Sequence, residues 1–555
     1  MERLVAGLEA ARGTRSRKQK VAHLAEAFAR IAREEGPGSP ALLVAARLTD
    51  GQTLAATDPR PLGVGYALVG EALAASLGTS AGALWSQARG LGDLGEAAER
   101  AVPVERPGLP LAEVAALLER LAATSERDEK LRALTAALSR ARPLEAKYLV
   151  KALLGELRIG VQRGTLEEAL AAAFGQDLTA LRKAAAVVAD AGDLASLAAR
   201  GALAEARFTP GAPLAFMLAS PTEAVKTEVE PAATVAEDKL DGIRCQVQAH
   251  QGQVWLFGRG QGQVTKAFPE LQALFTAEPG PLALDGEVIA LGEGQRARPF
   301  HVLQARLGRV DPDEALRASV PVALVLYDVM VDGEVLLEAP WKERRARLER
   351  LAQRVATARC WANPVHALDA AAPLAPQLEA LFAEARGRGN EGLVLKRVDA
   401  PYEPGRRGSA WRKVKKALAT LDVVVTRAEW GHGKRAGVMS DYTFAVWNGE
   451  RLEEIGKAYT GLTDREIAQL TERFQALTVE VKRGQHFVRP EVVLEVAFDG
   501  LQRSQRHQSG LSMRFPRIHR IRDDKTAAQA DTLAAAEALF QAQVDSGHRE
   551  EPDEG

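Results

Sequence analysis

Cysteine is scarce in this sequence, and its scarcity excludes two kinds of protein scaffold. Among 555 residues there are two cysteines, Cys245 and Cys360, too few for a disulfide framework or a four-cysteine zinc site. The nine histidines show no metal-ligand spacing such as HExxH. No apolar run is long enough to cross a bilayer, and residues 1–20 lack the apolar core of a secretory signal. The sequence therefore predicts a cytoplasmic protein with no membrane partner and no structural zinc.

Net charge is also nearly absent, but the charges are unevenly distributed. The 72 basic residues balance 73 acidic ones, to give a formal net charge of −1. A local cluster such as RRGSAWRKVKK, at 406–416, would still attract phosphate groups, whereas the final residues GHREEPDEG predict a solvated acidic tail. A chain of this length exceeds one hydrophobic core, so we expect about three domains.

Hydrophobic spacing indicates where the domains begin and end. The first block is rich in Ala, Leu, Glu and Arg at helical spacing, which predicts an all-α domain. Pro210, Pro213 and Pro221 then break the helical pattern and indicate a linker. Alternating apolar and polar residues follow, mixed with helical segments, and predict an α+β domain. A hairpin signal at Asn448-Gly449 lies in the next segment and favours a small β-barrel that follows the α+β domain. The predicted segments are 1–205 (all-α), 206–231 (linker), 232–418 (α+β), 419–530 (β-barrel) and 531–555 (acidic tail).

One lysine stands in an unusual setting. Lys239, in EDKLDGIR at 237–244, comes where a strand meets an Asp-Gly turn. A lysine there is either a surface cation or an amine nucleophile activated by its surroundings. Lys-x-Asp-Gly should occur by chance in roughly one chain in ten of this length. The neighbouring motifs and their order therefore have to decide between the two interpretations.

Those motifs resemble the ordered motifs of the covalent nucleotidyltransferases. After EDKLDGIR come LFGRG (256–260), LDGEV (284–288), LYDVM (326–330), EGLVLK (391–396), WRKVKK (411–416) and MRFPRIHRIRDDK (513–525). More narrowly, the set resembles the ATP-dependent DNA ligases with three domains. Residues 147–174, KYLVKALLGELRIGVQRGTLEEALAAAF, are similar to the helical DNA-binding domain of that family. The resemblance covers nearly the whole chain except its last 25 residues.

The resemblance implies a fold and a reaction. We expect a multidomain protein with an all-α DNA-binding domain, an α+β nucleotidyltransferase (adenylation) domain and a β-barrel of the OB-fold type. The substrates would be ATP and nicked double-stranded DNA, with Mg²⁺, or alternatively Mn²⁺, as the metal cofactor. A monomer associated with the nucleoid, acting in DNA replication, repair and recombination, is the expected context.

The resemblance also assigns roles to individual residues. Lys239 would be the catalytic nucleophile that attacks the α-phosphate of ATP, and Asp241 would orient it. Metal binding would fall to Glu287 and Glu391. Nucleotide-binding residues would be Glu237, Arg244, Arg259, Glu287, Tyr327, Lys396, Arg407, Lys413 and Lys415. Contacts to the pyrophosphate or DNA would come from Arg514, Arg517, Arg522, Asp524 and Lys525. DNA-binding residues in the helical domain would be Lys147, Lys151, Arg158 and Arg163.

Each assignment has a simpler structural alternative. An aromatic such as Tyr327 in an apolar strand is often a core residue, and basic runs are often only a solvated surface.

Other protein classes also have to be considered. An NAD-dependent ligase shares the Lys-x-Asp-Gly chemistry, but that family has a different domain layout that includes a four-cysteine zinc module. RNA ligases and capping enzymes share the nucleophile and lack the long helical block. A non-catalytic DNA clamp would explain the basic patches without needing Lys239, Glu287 and Glu391 together.

Overall fold

The computed structural model of the chain describes residues 1–223, 228–292, 294, 296–307, 309, 311–355, 357–415, 419–431, 435, 437–482, 484–504 and 506–545. The predicted tail beyond 545 and the side chain of Lys415 lie outside the described residues. Helical, mixed and strand-rich segments follow one another along the chain, in the predicted order.

The first 205 residues are helical because apolar side chains recur on one face of each helix and polar side chains cap the helix starts. Ser16, Ser39, Asp93, Asp177 and Asp190 each accept a hydrogen bond from a backbone amide in the first turn. One continuous core joins the helices. They are α1 (Glu2–Arg12), α2 (Arg17–Glu35), α3 (Pro40–Thr49), α4 (Tyr66–Leu77), α5 (Ala81–Leu91), α6 (Leu94–Ala101), α7 (Leu111–Ala123), α8 (Arg127–Arg140), α9 (Pro143–Leu153), α10 (Arg163–Phe174), α11 (Leu178–Val187) and α12 (Ala191–Arg200).

Within the described ranges, no single helix has the length and apolar composition needed to span a membrane. Helices α4 and α5 pass that test only as a pair. The pair is bent by 115°, and both helices contribute side chains to the helical core.

The mixed domain contains two sheets that pack against each other. The first has the strand order β1-β11-β10-β2-β9, and the second has the order β4-β3-β5-β6-β7 with β8 beside β6. Met217, Met330, Tyr402 and Trp411 form part of the apolar cluster between them. The elements are β1 (Leu218–Glu223), β2 (Thr234–Lys239), β3 (Ile243–His250), β4 (Gln253–Gly258), α13 (Pro269–Gln272), β5 (Leu282–Ala290), α14 (Phe300–Gln304), α15 (Glu314–Ser319), β6 (Val322–Asp332), β7 (Glu334–Val335), α16 (Trp341–Arg354), β8 (Cys360–Ala362), β9 (Val365–Ala367), α17 (Leu374–Gly387), β10 (Gly392–Arg397) and β11 (Arg407–Lys415).

The predicted linker 206–231 is largely part of this mixed domain. Strand β1 lies parallel to β11 at the edge of the first sheet. Before β1, two buried glutamines hold the chain by side-chain hydrogen bonds in place of a strand ladder. Gln246 Oε1 accepts from the Leu214 amide at 2.9 Å, and Gln248 Oε1 accepts from the Gly211 amide at 2.8 Å. The side-chain amides donate in return to the carbonyl oxygens of Leu214 and Ala212.

The third domain is strand-rich. Its main sheet has the order β14-β13-β12-β16-β15, with β17 between β12 and β20. The predicted hairpin at Asn448-Gly449 is confirmed, with Asn448 opposite Arg451. Thr463 and Glu466 form a capping box at the start of the helix that follows. The elements are β12 (Ala419–Trp430), β13 (Met439–Asn448), β14 (Arg451–Ala458), α18 (Asp464–Leu477), β15 (Thr478–Lys482), β16 (Gln485–Val488), β17 (Val493–Phe498), β18 (Gly500–Arg503), β19 (Leu511–Arg514), β20 (Arg517–Ile521) and α19 (Leu533–Asp545).

The predicted acidic tail does not begin at 531. Residues from Leu533 to Asp545 form α19, whose Ala536 and Phe540 are buried in the core of the third domain. The Arg503 guanidinium lies over the Phe540 ring, 4.6 Å from its centroid. The tail was predicted to begin at 531 because the last family motif ends at Lys525, but a motif boundary does not mark the end of the folded domain.

Candidate active site

Lys239 ends strand β2, directly opposite Gly392 of β10. Its Nζ donates a hydrogen bond to the carboxylate of Glu391, and the backbone amide of Glu391 donates to the Lys239 carbonyl oxygen at 2.6 Å. The Asp-Gly turn that follows requires Gly242, because a Cβ there would collide with the carbonyl oxygen of Val288 on β5. The turn thus holds the end of β2 against the second sheet.

A second carboxyl group shares this cluster. Burial and the Glu391 carboxylate raise the pKa of Asp241 to about 6, while Arg514 of the third domain lowers it. Burial opposes ionisation of Glu391 too, but Lys239 outweighs it and keeps the Glu391 pKa below its ordinary value. Two acids and one lysine therefore lie where a proton can be shared.

Glu287 brings a third carboxyl group from the second sheet. It lies on β5 opposite Arg244 of β3, and burial raises its pKa to about 8, only partly offset by Lys239 and Arg244. Magnesium takes one or two protein carboxylates and completes its shell with water and substrate phosphates. In the part of the chain that the structure describes, no three metal-ligating side chains cluster. The two carboxyls of Glu287 and Glu391 thus fit a magnesium ion shared with a bound phosphate.

A buried polar group lies beside Lys239 on the same face of the first sheet. Glu237 is 1% exposed, with Oε1 2.9 Å from Lys396 Nζ and Oε2 accepting from Asn363 Nδ2 at 3.1 Å. Arg345 Nη1 approaches Glu237 to 3.9 Å. Glu237 Oε1, Asn363 Oδ1 and Arg345 Nη1 are buried without a hydrogen-bond partner. Because Glu237 Oε1 is already ion-paired with Lys396, the acceptor on Asn363 and the donor on Arg345 are the groups left to bind a ligand.

Tyr327 and Trp411 form an aromatic wall next to this cluster. Tyr327 is half-buried, and its ring meets Trp411 edge-on with centroids 6.2 Å apart. Lys396 Nζ lies 4.4 Å from the Trp411 centroid and donates to the Tyr327 carbonyl oxygen at 2.8 Å. Tyr327 is therefore neither a fully buried core residue nor a free surface ring.

The predicted arginines differ in how they are engaged. Arg244 donates to both oxygens of buried Asp285, at 3.0 and 2.6 Å, and to the Met217 carbonyl oxygen at 2.6 Å. Its guanidinium is thereby committed within the domain. Arg259 is exposed in the turn after β4, and Arg407 is exposed at the start of β11.

Alternation along strand β11 determines the face of the sheet on which Lys413 lies. Lys413 is half-buried and lies opposite Val394, which itself lies opposite Glu237. Residues directly opposite one another in neighbouring strands share a face, so Lys413 is on the face of Lys239 and Glu237. The backbone of Lys415 ends the same strand.

The predicted pyrophosphate residues separate into two groups. Arg514 lies close enough to Asp241 and Glu391 to lower the pKa of both. Arg517 instead pairs with Asp499 at 3.1 Å. Arg522, Asp524 and Lys525 form a cluster with buried Asp422 within the third domain: Arg522 and Lys525 bind Asp422, at 2.8 and 2.5 Å, and Arg522 also binds Asp524 at 2.7 Å.

The predicted DNA contacts of Lys147 and Lys151 are wrong for this structure. Lys147 is fully buried, with its Nζ 2.7–3.1 Å from Glu9, Glu96 and Glu99. Lys151 is 3% exposed and binds Asp93 at 2.5 Å. Both lysines neutralise acids from α1 and α6 inside the helical domain, and so they do not face a partner.

Two arginines of the same stretch stay accessible. Arg158 is 39% exposed, with a salt bridge to Glu156 at 2.9 Å, and lies between Gly155 and Gly160, all three at positive φ. Arg163 is 28% exposed and bonds Asp50 at 2.5 Å. Their DNA-binding role stays a prediction.

Several residues of the site were missed from the sequence. Asp285, which fixes Arg244 and also accepts from Tyr402 at 2.7 Å, stands in the LDGEV motif two residues before Glu287 and was not predicted as a site residue. Asn363 and Arg345 lie in segments with no motif. Asp238, next to Lys239, was not predicted either, although a charged residue within a buried strand indicates that it has partners.

Comparisons with known proteins identify the family of the chain. Residues 216–415 match the family described as ATP dependent DNA ligase domain, 1–171 match DNA ligase N terminus, and 435–525 match ATP dependent DNA ligase C terminal region. A probable DNA ligase from Koribacter versatilis is 41% identical over 517 residues, which are 89% of each chain. A DNA ligase from Methanopyrus kandleri is 35% identical over 548 residues, or 95% of this chain and 96% of the relative.

A solved structure named Pmar-Lig_PreS3 shares the fold. It has a TM-score of 0.61 and 16% identity, and the match covers 94% of this chain and 99% of that one. The matches to both relatives span the helical, mixed and strand-rich domains together. The chain therefore belongs to the ATP-dependent DNA ligase family, whose members are enzymes that form phosphodiester bonds.

Proposed function

We propose that this enzyme seals nicks in duplex DNA, joining a 3′-hydroxyl to a 5′-phosphate through a lysyl-AMP and then a DNA-adenylate. The observation that carries the proposal is the position of Lys239 Nζ, hydrogen-bonded to Glu391 at a strand end beside Asp241 and Glu287. Asp241 and Glu287 are half-buried, whereas the Glu391 side chain is 41% exposed. A lysine that is only a surface cation would have no reason to lie among these three carboxyls.

In the first step Lys239 Nζ attacks the α-phosphorus of ATP. The nitrogen–phosphorus bond forms, the bond from the α-phosphorus to the bridging oxygen breaks, and pyrophosphate leaves. The amine must lose a proton, and the hydrogen bond from Nζ to Glu391 supports that carboxylate as the acceptor. In the later steps AMP passes to the nick 5′-phosphate, and the 3′-hydroxyl then displaces AMP.

Magnesium, or alternatively Mn²⁺, would be held by Glu287 and Glu391. The ion would neutralise phosphate oxygens as negative charge develops on the leaving group. Glu287 has to release its proton to serve as a ligand, and its raised pKa therefore makes metal binding compete with protonation.

The base and sugar of ATP would lie along the face of the first sheet. Glu237 would accept a hydrogen bond from the adenine amino group. Asn363 Oδ1 and Arg345 Nη1, both buried without a hydrogen-bond partner, would pair with other polar atoms on the edge of the base. Tyr327 would stack on the ring. Lys396, Lys413, Lys415 and Arg407 would supply cations toward the phosphates, while Arg259 would reach the nick. The engagement of Arg244 with Asp285 favours an indirect role for it.

The third domain would act in two arrangements. We propose that it is an OB-fold barrel, and that Arg514, close to Asp241 and Glu391, contacts the pyrophosphate in the arrangement described above. Arg517, Arg522, Asp524 and Lys525 would contact pyrophosphate or DNA in the same or another arrangement. In the arrangement with Arg514 beside Asp241 and Glu391, the third domain would cover the site and exclude water from the reacting phosphate.

DNA binding by the helical domain, with Arg158 and Arg163 on the backbone, would be independent of sequence and sensitive to salt. A monomer in the cytoplasm, serving replication, repair and recombination, completes the proposal.

The test is incubation with α-labelled ATP and Mg²⁺, without DNA, followed by denaturing electrophoresis. Wild type and Lys342→Ala, which changes an exposed lysine of the same domain, should carry label, and Lys239→Ala should not. Label from NAD in a parallel reaction, with none from ATP, would contradict ATP use. Label on neither wild type nor control, in protein shown to be free of bound AMP, would favour a non-catalytic clamp.

A further inference from the structure

Asp238, the residue before Lys239, lies on the opposite face of the first sheet from Lys239 and Glu237. Alternation along β2 puts Glu237 and Lys239 on the site face, and Asp238 on the opposite face beneath α17. Ala236 and Leu393 belong to the apolar cluster on that side. Asp238 is 3% exposed, and a buried carboxylate must be paired to be tolerated.

The carboxylate of Asp238 is held by side chains from two segments. Arg388 donates to it through Nε and Nη2, at 2.8 and 2.9 Å, and Asn390 donates through Nδ2 at 2.8 Å. His366 Nε2 on β9 lies 3.2 Å away. Arg388 and Asn390 belong to the short loop 388–391, which joins α17 to β10 and ends in Glu391.

The backbone of loop 388–391 is also constrained at Gly389 and at Glu391. Gly389 has φ of +87°, and a Cβ there would lie 2.7 Å from the Ala297 carbonyl oxygen. The amide of Glu391 donates to the carbonyl oxygen of Lys239. The loop is therefore gripped at Arg388 and Asn390 by the Asp238 side chain and at Glu391 by the next residue of β2.

We propose that Asp238 is a positioning residue for lysyl-AMP formation, acting through loop 388–391 to hold the Glu391 carboxylate against Lys239 Nζ. The inference rests on the proposed function of Lys239 and Glu391. Adjacent residues of one strand then serve two sides of the sheet: Lys239 reacts, and Asp238 fixes the loop that carries its hydrogen-bond acceptor.

The experiment measures single-turnover lysyl-AMP formation by the full chain across ATP concentrations. Asp238→Asn should lower the maximal rate roughly a hundredfold, the effect of a misplacement of about 1 Å, with the half-saturating ATP concentration nearly unchanged. In a Glu391→Gln background the same substitution should cause no further loss. Arg397→Ala, which breaks the exposed Arg397–Asp399 pair at the other end of β10, should keep the wild-type rate.

Two outcomes would overturn the inference. One is a folded Asp238→Asn protein with the full rate. The other is an equal fractional loss in the Glu391→Gln background, because a purely structural role would not depend on that carboxyl. If Asp238→Asn does not fold, Arg388→Gln, at a residue whose side chain is 41% exposed, takes its place with the same two expectations. A wild type without label would overturn the proposed function, and this inference with it, whereas label on wild type separates the two.

Discussion

Lys239 and Glu391 are joined twice, although 152 positions separate them in the sequence. The side chain of Lys239 donates to the Glu391 carboxylate, and the backbone of Glu391 donates to the Lys239 carbonyl oxygen at 2.6 Å. The backbone contact fixes the two segments of the chain relative to each other, and the side-chain contact fixes the position of the Lys239 amine beside the Glu391 carboxylate. A displacement of the Glu391 loop therefore shifts the surroundings of the nucleophile directly.

Glu391→Gln should retain ATP binding and lose most of the first chemical step. An amide cannot take the amine proton, and loss of general-base catalysis costs roughly 10²–10⁴-fold in rate. Rapid-quench labelling with α-labelled ATP measures the rate, and equilibrium binding of a non-hydrolysable ATP analogue checks that the nucleotide still binds. A rate within threefold of wild type would assign the proton to another group, with Asp241 the next candidate.

Glu287 should give stability a pH dependence of a defined sign. Its pKa is about 8 when folded, against an ordinary 4.5. Between these values the folded protein holds a proton that the unfolded chain releases, so the free energy of unfolding falls as pH rises toward 8, by at most about 1.4 kcal/mol per pH unit. Urea unfolding of wild type and Glu287→Gln at pH 6.5, 7.5 and 8.5 should show a shallower decline in the variant. Parallel curves would contradict the raised pKa.

Arg244→Ala and Arg259→Ala should differ in stability. Removal of Arg244 leaves Asp285, a fully buried carboxyl, without its cation and costs about 3–5 kcal/mol. Arg259 is exposed, so its loss should change stability by less than about 0.5 kcal/mol. Chemical denaturation compares the two proteins, and nick-joining rates then report what Arg259 contributes to the reaction. Equal stabilities would show that Arg244 is free to meet a ligand.

Lys147→Ala and Arg158→Ala should separate stability from DNA binding. Lys147 neutralises three acids from a fully buried position, so its loss should cost roughly 2–4 kcal/mol. It should leave the salt dependence of DNA binding unchanged. Arg158→Ala should leave stability nearly unchanged and lower the salt slope by about one. Binding to nicked DNA, measured at several salt concentrations, distinguishes them, and the reverse pattern would restore Lys147 as a DNA contact.

Sequence patterns were sufficient to predict features that depend on residues close together in the chain. The Asn448-Gly449 signal was sufficient to predict its hairpin, because a tight turn depends on adjacent residues. The alternation that fixes the face of Lys413 and the capping box of Thr463 and Glu466 depend on residues equally close in the sequence. The order of motifs was enough to bring Glu391 and Glu287 near Lys239.

Distant pairing was what the sequence could not reveal. Lys147 and Lys151 looked like surface cations since their acidic partners lie on α1 and α6, 48 to 138 positions away. Arg244 looked free because Asp285 is on another strand. Helix α19 looked like tail because its apolar face is recognisable only once the surface that receives Phe540 exists.

Gln246 and Gln248, which bind the backbone of residues 211–214, determine how far upstream a fragment containing the catalytic domain has to begin. A polypeptide starting at 232, where the motifs begin, would take from Gln246 and Gln248 their backbone partners in 211–214 and leave only the 2.7 Å bond between the two side chains. It would also uncover the long edge of β11, which β1 normally pairs, and an unpaired strand edge invites association between copies. A fragment that begins upstream of Gly211 keeps both features and is the one expected to be recovered as a folded monomer.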